Sequence, residues 1–260
     1  MNPCGAGWRV RTTFLGAVRS LWELSLPSPV GFGTRRPPTY VGARDHRPTA
    51  VSAPRRLTTD WRIALSSTDA DPKAVLRREA LARRKEVSAE ARTRLTERLV
   101  GEGLRLAQLW RPDVVSAFHP IREEPDTLAL LGGLVAEGYA TALPVVVGRR
   151  GVHLAFRLWR PGEPTLLGGM RIPEPLDSAP AVEPDLLFVP LACFDRRGHR
   201  IGYGAGCYDR SLALLRATKK IHTVGVAYGV CEVAAVPYEA HDQSLDVVVT
   251  EHETIIVRER

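Results

Sequence analysis

The sequence predicts an α/β fold, a single domain in which helices cover both faces of a mostly parallel β-sheet. Two observations lead to this prediction. From residue 113 onward, short apolar runs of strand length alternate with segments of helical periodicity, and this order is typical of parallel strands joined by crossover helices. In addition, loops rich in charged residues or glycine follow the predicted strands, at the edge of the sheet where such folds bind ligands.

The chain divides by charge near residue 65. Residues 1–65 hold ten arginines, no lysine and three acids, whereas residues 66–260 hold 26 basic and 26 acidic residues. The net charge of +7 therefore comes from the first segment, and a nucleic-acid-binding domain is not indicated. We predict that residues 1–65 are disordered or lie upstream of the true start; a transit peptide is the alternative. Residues 66–260 form the predicted α/β domain, which contains no run of about 18 apolar residues that would span a membrane.

The domain begins with two predicted helices. Asp71-Pro72 is a helix start, because a capping residue precedes a proline at the first helical position. Lys73 and Arg77 lie one turn apart near the positive end of that helix dipole, which favours an anion outside the helix; a solvated charged face is the alternative. A second helix is predicted over 89–109, with its inward face formed by Leu95, Leu99, Leu106 and Leu109.

Residues 113–158 contain the first predicted strand–helix–strand unit. Strands are expected at 113–118, 140–147 and 152–158, and a helix at 126–137 ends at Gly138. The loop after the first strand holds His119 and the acids Glu123, Glu124 and Asp126. These acids either bind a ligand or cap the following helix. Two proline-rich segments, 160–165 and 172–176, are predicted to be connectors without regular structure.

Residues 195–210, here named the glycine segment, follow a buried strand predicted at 186–190 and precede a helix predicted over 211–216. The glycines alternate at positions 202, 204 and 206, which allows close approach of a ligand to the backbone. A glycine-rich loop that runs into a helix N-terminus offers N–H groups to a phosphate. Arg200 and Arg210 add positive charge, and Asp209 could hold a Mg²⁺ ion on that phosphate. A solvated turn is the alternative.

The remaining chain holds two predicted strands, 222–227 and 247–250, separated by a polar loop. Its acids Asp242 and Asp246 could bind a metal ion or cap a turn.

The four cysteines show neither a C-x-x-C pair nor a zinc spacing. We therefore expect reduced thiols in a cytoplasmic protein. Cys193 is predicted to lie in the core. Cys207 lies within the glycine segment, but no neighbouring histidine or acid marks it as a nucleophile.

Several motifs together resemble the 5-formyltetrahydrofolate cyclo-ligase family, also called methenyltetrahydrofolate synthetases. They span roughly residues 70–252 and comprise Lys73-x-x-Leu-Arg77, Glu124-x-Asp-Thr127, Ile172-Pro-Glu-Pro175, the stretch from Phe194 to Arg210, Val236-Pro237, His241-Asp242 and Thr250-Glu251. The resemblance implies a sheet related to those of sugar-phosphate isomerases and CoA-transferases. Three positions depart from the family pattern: Ala205 and Arg171 stand where glycine is frequent, and Cys207 where an aromatic residue is.

The resemblance implies a monomeric, cytoplasmic ligase of one-carbon metabolism that uses ATP and Mg²⁺ to convert 5-formyltetrahydrofolate into 5,10-methenyltetrahydrofolate, ADP and phosphate. In the implied mechanism, the formyl oxygen takes the γ-phosphoryl group, N10 attacks, and phosphate leaves. Its partners would be these small molecules, with no nucleic acid and no membrane.

Matching positions supply the implied site residues. The catalytic residues would be Lys73, Arg77 and Tyr208. ATP would contact Lys73, Arg77, Arg200, Ile201, Gly202, Tyr203, Gly204, Ala205, Gly206, Cys207 and Tyr208. The folate would contact Arg77, His119, Glu124, Tyr203, Gly204, Ala205, Gly206 and Cys207. The metal ligands would be Asp209 and Asp242, with Asp246 as the alternative to Asp242.

Two other functions stay open from the sequence. A sugar-phosphate isomerase or CoA-transferase-like enzyme on a related sheet would not need ATP. A non-catalytic paralogue would bind folate and nucleotide without forming product, and Cys207 and Arg171 would then mark the loss of activity.

Overall fold

The structure, a computed structural model, describes residues 71–148 and 153–257. The predictions for residues 1–65 therefore lie outside the described residues. The first half of the domain contains α1 (Pro72–Lys85), α2 (Ala89–Trp110), β1 (Val114–Ser116), α3 (Leu128–Ala136), β2 (Ala140–Val147), β3 (His153–Leu158), β4 (Thr165–Leu167) and β5 (Pro173–Pro175). The second half contains β6 (Ala181–Val182), β7 (Leu186–Pro190), β8 (Cys193–Phe194), β9 (Arg200–Ile201), α4 (Cys207–Thr218), β10 (His222–Val226), β11 (Val247–Val249) and β12 (Thr254–Ile256).

One large sheet organises the described residues. Its eight strands follow the order β12-β11-β10-β7-β1-β2-β3-β6. The five strands from β11 to β2 pair in parallel, and β12, β3 and β6 add antiparallel partners at the two edges. The predicted mostly parallel sheet is therefore confirmed.

Two crossover connections leave the middle of this sheet in opposite directions. β1 connects through α3 to β2 on one side, and β7 connects through α4 to β10 on the other. Because such crossovers are right-handed, the two helices lie on opposite faces of the sheet, as predicted. The neighbouring strands β1 and β7 thus form a topological switch point, and a crevice opens beyond their carboxyl ends. The loop that holds His119 and the glycine segment both begin there.

Helix α2 packs one face against the core, as its leucine spacing predicts. Leu95, Leu99 and Leu106 are buried, and Gly103 lets the helix approach Leu130 of α3 and Phe188 of β7 closely. The prediction for Leu109 is wrong, since this side chain is 64% exposed. In that last turn Trp110 packs on the core instead and stacks on His222, with 4.1 Å between ring centroids.

Two further segments differ from the prediction. Helix α4 begins at Cys207, four residues before the predicted start, because Gly206 adopts a left-handed conformation (φ 63°) at its N-cap. The segment 172–176 is not a plain connector, since β5 pairs with β4 in antiparallel register. Pro173 and Pro175 are separated by Glu174, and alternate residues of an antiparallel pair donate no hydrogen bond to the partner strand. The two prolines, which have no backbone N–H, are therefore tolerated in β5.

We predict that Leu106→Ala lowers the free energy of unfolding by about 2–5 kcal/mol, because it leaves a cavity under α2. Leu109→Ala, one turn further along the same helix, should change it by less than about 0.5 kcal/mol. Denaturant unfolding of both variants measures the difference. Equal losses would contradict the assigned orientation of α2.

Candidate active site

The backbone of the glycine segment depends on two of its three alternating glycines. Gly204 (φ 101°) and Gly206 (φ 63°) have left-handed conformations that side chains disfavour, whereas Gly202 does not. A Cβ atom on Gly204 would also lie 3.6 Å from the guanidinium carbon of Arg77. The segment therefore turns tightly against α1 before it enters α4.

Helix α4 presents an uncapped N-terminus at this turn. Gly206 provides no side-chain cap, and Asp209 is the acid of the first turn. The Asp209 carboxylate accepts hydrogen bonds from Arg200 Nη2 (2.9 Å) and from the backbone N–H of Gln243 (3.0 Å). The N-terminal turn of α4, the positive end of its helix dipole, therefore lies beside a carboxylate held in a fixed position.

A polar cleft lies on one side of the glycine segment. Its lining is rich in cations and glycines and consists of Lys73, Arg77, Arg200, Ile201, Gly202, Gly204, Gly206, Asp209, Arg210, Ala213, His241, Asp242 and Gln243. Arg77 Nε donates a hydrogen bond to the carbonyl oxygen of Gly202 at 2.7 Å. This charge balance suits a polyphosphate.

Lys73 lies at the start of α1, where a cation opposes the helix dipole. Its ammonium group contacts Asp242 at 2.7 Å and Glu239 at 3.1 Å. Burial works against the charge, but these two carboxylates raise the pKa of Lys73 above its ordinary value. Burial likewise opposes the charge of Asp242, yet Lys73 and the backbone N–H of Glu239 hold the pKa of Asp242 below its ordinary value. The unfavourable position of Lys73 is therefore offset by acids from the loop before β11.

The acids of the cleft fit a Mg²⁺ ion that is shared with a phosphate ligand. Asp209 and Asp242 both line the cleft, and the second oxygen of each accepts no hydrogen bond within residues 71–148 and 153–257. No cluster of three or more His, Cys, Asp or Glu side chains in those ranges forms a complete metal cage. Mg²⁺ is ordinarily held by one or two carboxylates together with substrate phosphates, and this donor set matches that mode.

Asp246, the alternative metal ligand, lies outside the cleft. Its carboxylate accepts hydrogen bonds from the backbone N–H of Thr223 (2.7 Å) and from the Thr223 hydroxyl (2.9 Å). Asp246 therefore fastens the segment before β11 to β10, and we exclude it from the proposed metal site.

A second, mostly apolar cavity lies on the other side of the glycine segment. Its walls are formed by Phe118, His119, Ile121, Glu124, Pro144, Val146, Leu154, Met170, Ile172, Glu174, Pro190, Arg200, Gly202, Tyr203, Ala205, Gly206, Cys207, Tyr208 and Asp209. Among these apolar walls, Glu124 and Glu174 are carboxylates that are each 8% exposed. A flat ring system with several N–H donors matches this combination of surfaces.

Glu124 is fixed in place within this cavity. One of its oxygens accepts the backbone N–H of Ile121 at 3.0 Å. Burial raises the pKa of Glu124 above its ordinary value, against the opposing effects of the Tyr203 hydroxyl, the Ile121 N–H, Arg84 and Arg122. The side chain thus retains an ionisable group in surroundings that disfavour its charge.

Tyr208, Cys207 and His119 line the same cavity. Burial raises the pKa of Tyr208 far above its ordinary value, so its hydroxyl keeps its proton at neutral pH. Tyr208 can therefore donate a hydrogen bond but cannot act as a base. Cys207 is the first residue of α4 and, as a small side chain, leaves room where a larger residue would fill the cavity.

The two cavities share one wall. Arg200, Gly202, Gly206 and Asp209 line both of them. A ligand in the polar cleft and a ligand in the apolar cavity would consequently meet across the glycine segment. This arrangement can bring a phosphoryl donor and an acceptor together.

The structure gathers every predicted site residue except Asp246 around these two cavities. Sequence reasoning missed Glu174 as a member of the site, and it missed Arg84, which contacts the site through the Tyr203 hydroxyl. Glu174 lies in the Ile172–Pro175 motif, which had been assigned to a connector, so the motif itself was the available signal. Arg84 follows Arg77 by seven residues and so shares its helix face, which was the corresponding signal for that residue.

This architecture defines a class of α/β proteins whose ligands bind at a switch point in a parallel sheet. A model of the 5-formyltetrahydrofolate cyclo-ligase family matches residues 69–251. The chain is 32% identical to the 5-formyltetrahydrofolate cyclo-ligase of Mycolicibacterium smegmatis over 71% of this chain and 96% of the relative, and 33% identical to that of Escherichia coli over 52% and 76%. The chain therefore belongs to the 5-formyltetrahydrofolate cyclo-ligase family, a family of ligases, and the predicted resemblance is confirmed.

Solved structures agree with this assignment. The fold is similar to the NMR structure of Aquifex aeolicus 5,10-methenyltetrahydrofolate synthetase, with a TM-score of 0.61, 30% identity, and coverage of 72% of this chain and 94% of that one. The 5,10-methenyltetrahydrofolate synthetase of Mycoplasma pneumoniae, at 20% identity and a TM-score of 0.55 over 69% of this chain and 98% of that one, supports the fold alone. Within the described residues, no helix is long and apolar enough to cross a membrane.

We predict that the free energy of unfolding of the Glu124→Gln variant, taken relative to that of the wild type, is higher at neutral pH than in acid. Because folding raises the pKa of Glu124, the native carboxyl group contributes most below its unfolded pKa and loses that contribution as pH rises through its native pKa. Denaturant unfolding of both proteins at about pH 4.5 and about pH 7.5 measures the change. An advantage of the glutamine variant that shrinks as pH rises would contradict the assignment.

Proposed function

We propose that this chain converts 5-formyltetrahydrofolate into 5,10-methenyltetrahydrofolate, with consumption of ATP in the presence of Mg²⁺. The shared wall between the polar cleft and the apolar cavity is the observation that supports the proposal most strongly. It separates a cationic, glycine-rich site from a site with buried carboxylates. A reaction between the ligands of the two sites requires that the sites be adjacent.

The apolar cavity is the proposed folate site. Its aliphatic and aromatic walls suit the faces of a pterin ring, and the Glu124 carboxylate can accept hydrogen bonds from the N–H groups of the ring edge. Recognition by a buried carboxylate is selective, because a ring without those donors would leave the acid unpaired.

The polar cleft is the proposed ATP site. Lys73, Arg77 and Arg200 supply positive charge, and the uncapped N-terminus of α4 supplies backbone N–H groups to the phosphates. Asp209 and Asp242 would hold Mg²⁺, which when bound would neutralise phosphate charge. With a cation on Asp242, the Lys73 ammonium group, which contacts that carboxylate at 2.7 Å, would be able to contact a phosphate oxygen instead.

The chemistry then needs positioning and charge neutralisation more than a protein nucleophile. A bond forms between the formyl oxygen and the γ-phosphorus, the bond to the β-phosphate oxygen breaks, and ADP leaves. N10 next attacks the formyl carbon and loses its proton, while the carbon–oxygen bond breaks and phosphate leaves with that oxygen. Lys73 and Arg77 are proposed to stabilise the transferred group, and Tyr208 to donate a hydrogen bond from the shared wall.

We further propose that the protein is monomeric and cytoplasmic and that it binds neither nucleic acid nor a membrane. Cys193 and Cys231 are buried free thiols, which agrees with a reducing compartment. Residues 66–260 hold 26 basic and 26 acidic residues, a balance that does not favour nucleic-acid binding.

The absorbance of the methenyl product tests this function directly. Full-length protein mixed with 5-formyltetrahydrofolate, ATP and Mg²⁺ should generate the product, and omission of either ATP or Mg²⁺ should abolish its formation. Folded protein that binds both ligands without product would instead support the non-catalytic paralogue. Turnover of a sugar phosphate or an acyl-CoA without nucleotide would support the other enzyme class.

We predict that Asp209→Asn lowers kcat/KM for Mg·ATP by at least about 100-fold, because it removes a ligand charge from the metal. The fold should persist, since an asparagine Oδ1 can still accept the hydrogen bonds from Arg200 and Gln243. Asp246→Asn is the matched control and should leave kcat/KM within about threefold of the wild type. Steady-state kinetics with varied Mg·ATP distinguish the two. An unimpaired Asp209→Asn would remove Asp209 from the metal site.

A further inference from the structure

Arg84 is a buried cation that the proposed mechanism does not use. It lies near the end of α1, is 3% exposed, and lines neither of the two cavities. Arginines are rarely buried so completely without a specific partner. Its Nη1 donates a hydrogen bond of 2.7 Å to the Tyr203 hydroxyl, while Nε has no hydrogen-bond partner within the described ranges 71–148 and 153–257. A guanidinium held on so few contacts costs free energy, which points to a functional reason for its position.

The contact continues from Tyr203 to the proposed folate site. The same hydroxyl group interacts with the carboxylate of Glu124, and both side chains line the apolar cavity. Because an arginine can only donate, the hydroxyl oxygen accepts from Arg84, and its own proton remains to be directed at the Glu124 carboxylate. The result is a directed chain from Arg84 through Tyr203 to Glu124.

This chain connects three separate parts of the fold. Arg84 lies on α1, Tyr203 lies in the glycine segment, and Glu124 lies in the loop after β1. Arg92 of α2 braces the same region, since it donates hydrogen bonds to the backbone carbonyl oxygens of Arg84 (3.4 Å) and Glu123 (3.5 Å). Arg92 thus holds the end of α1 and the acidic loop, which is the loop after β1 that contains Glu123 and Glu124, together from outside the cavity.

We propose that Arg84 is a positioning residue for folate recognition, which fixes the Glu124 carboxylate through Tyr203 and keeps it ionised in the apolar cavity. This inference rests on the proposed function of that cavity as the folate site. Arg84 does not touch the substrate. Its effect reaches the pterin ring only through the orientation and charge of Glu124.

The electrostatic surroundings explain why such a residue is needed. Burial raises the pKa of Glu124, and the opposing charges belong to Arg84 on α1 and Arg122 on the loop. Other ionisable groups that line the cavity are His119, Glu174, Arg200, Tyr203, Cys207, Tyr208 and Asp209. Only the ionised carboxylate can accept hydrogen bonds at both oxygens, so loss of the Arg84 charge should weaken recognition most at low pH.

The test compares Arg84→Met with Arg78→Met in the full-length protein. Arg78 is an exposed cation on the same helix, so its replacement removes an equal charge without touching the chain of contacts. The KM for 5-formyltetrahydrofolate and the KM for ATP are measured from about pH 5.5 to about pH 8.5. We expect Arg84→Met to raise the folate KM about tenfold near neutral pH, with partial recovery as pH rises, because one unit of pKa corresponds to a tenfold change in ionisation. The ATP KM, and kcat at saturating folate, should change less than about threefold.

Two further variants protect the test against a general loss of folding. Tyr203→Phe keeps the ring and removes the hydroxyl, and should raise the folate KM in the same direction. Arg84→Lys keeps the charge, and should restore the wild-type dependence of the folate KM on pH more closely than methionine does. If Arg84→Met does not fold, these two variants decide the question.

The outcomes separate the inference from the proposed function. If wild-type protein forms no methenyl product, the proposed function fails. If it does, but Arg84→Met and Arg78→Met give the same folate KM at every pH, the positioning role is overturned. Equal increases in the folate KM and the ATP KM would also overturn it, because they would indicate a general structural effect of Arg84.

Discussion

The site depends on one constraint, the right-handed sense of the two central crossover connections. Because the chain leaves β1 and β7 in opposite directions, neither of the crossover helices α3 and α4 lies over the space beyond the carboxyl ends of these neighbouring strands. The acidic loop and the glycine segment both arrive in this space. The sheet therefore brings the two proposed ligand sites to a common wall near its centre.

Helix α1 completes the site from outside the sheet. Lys73, Arg77 and Arg84 lie along one side of this helix, and each contacts a different part of the crevice. Lys73 contacts Asp242, Arg77 contacts the carbonyl oxygen of Gly202, and Arg84 contacts the Tyr203 hydroxyl. A single cationic helix face thus fastens both the proposed ATP site and the proposed folate site.

Local sequence patterns predicted the helices and strands of this fold, but not the contacts between residues that are far apart in sequence. The cap at Asp71, the spacing of the α2 leucines and the run at β7 depend on neighbours in sequence, so they could be recognised there. The role of Asp246 could not, because only the pairing of β10 with β11 brings its carboxylate to Thr223. The same holds for Arg84, whose partner Tyr203 lies 119 residues away. The exposure of Leu109 likewise depends on what Trp110 contacts in three dimensions.

The central claim is that the two ligands react directly across the glycine segment. Transfer of an oxygen isotope tests it most directly. With ¹⁸O in the formyl group of 5-formyltetrahydrofolate, each turnover should place one labelled oxygen in the released phosphate, because the formyl oxygen leaves bound to the γ-phosphorus. Methenyl product accompanied by unlabelled phosphate would contradict the account, since the phosphoryl group would then have passed to another acceptor.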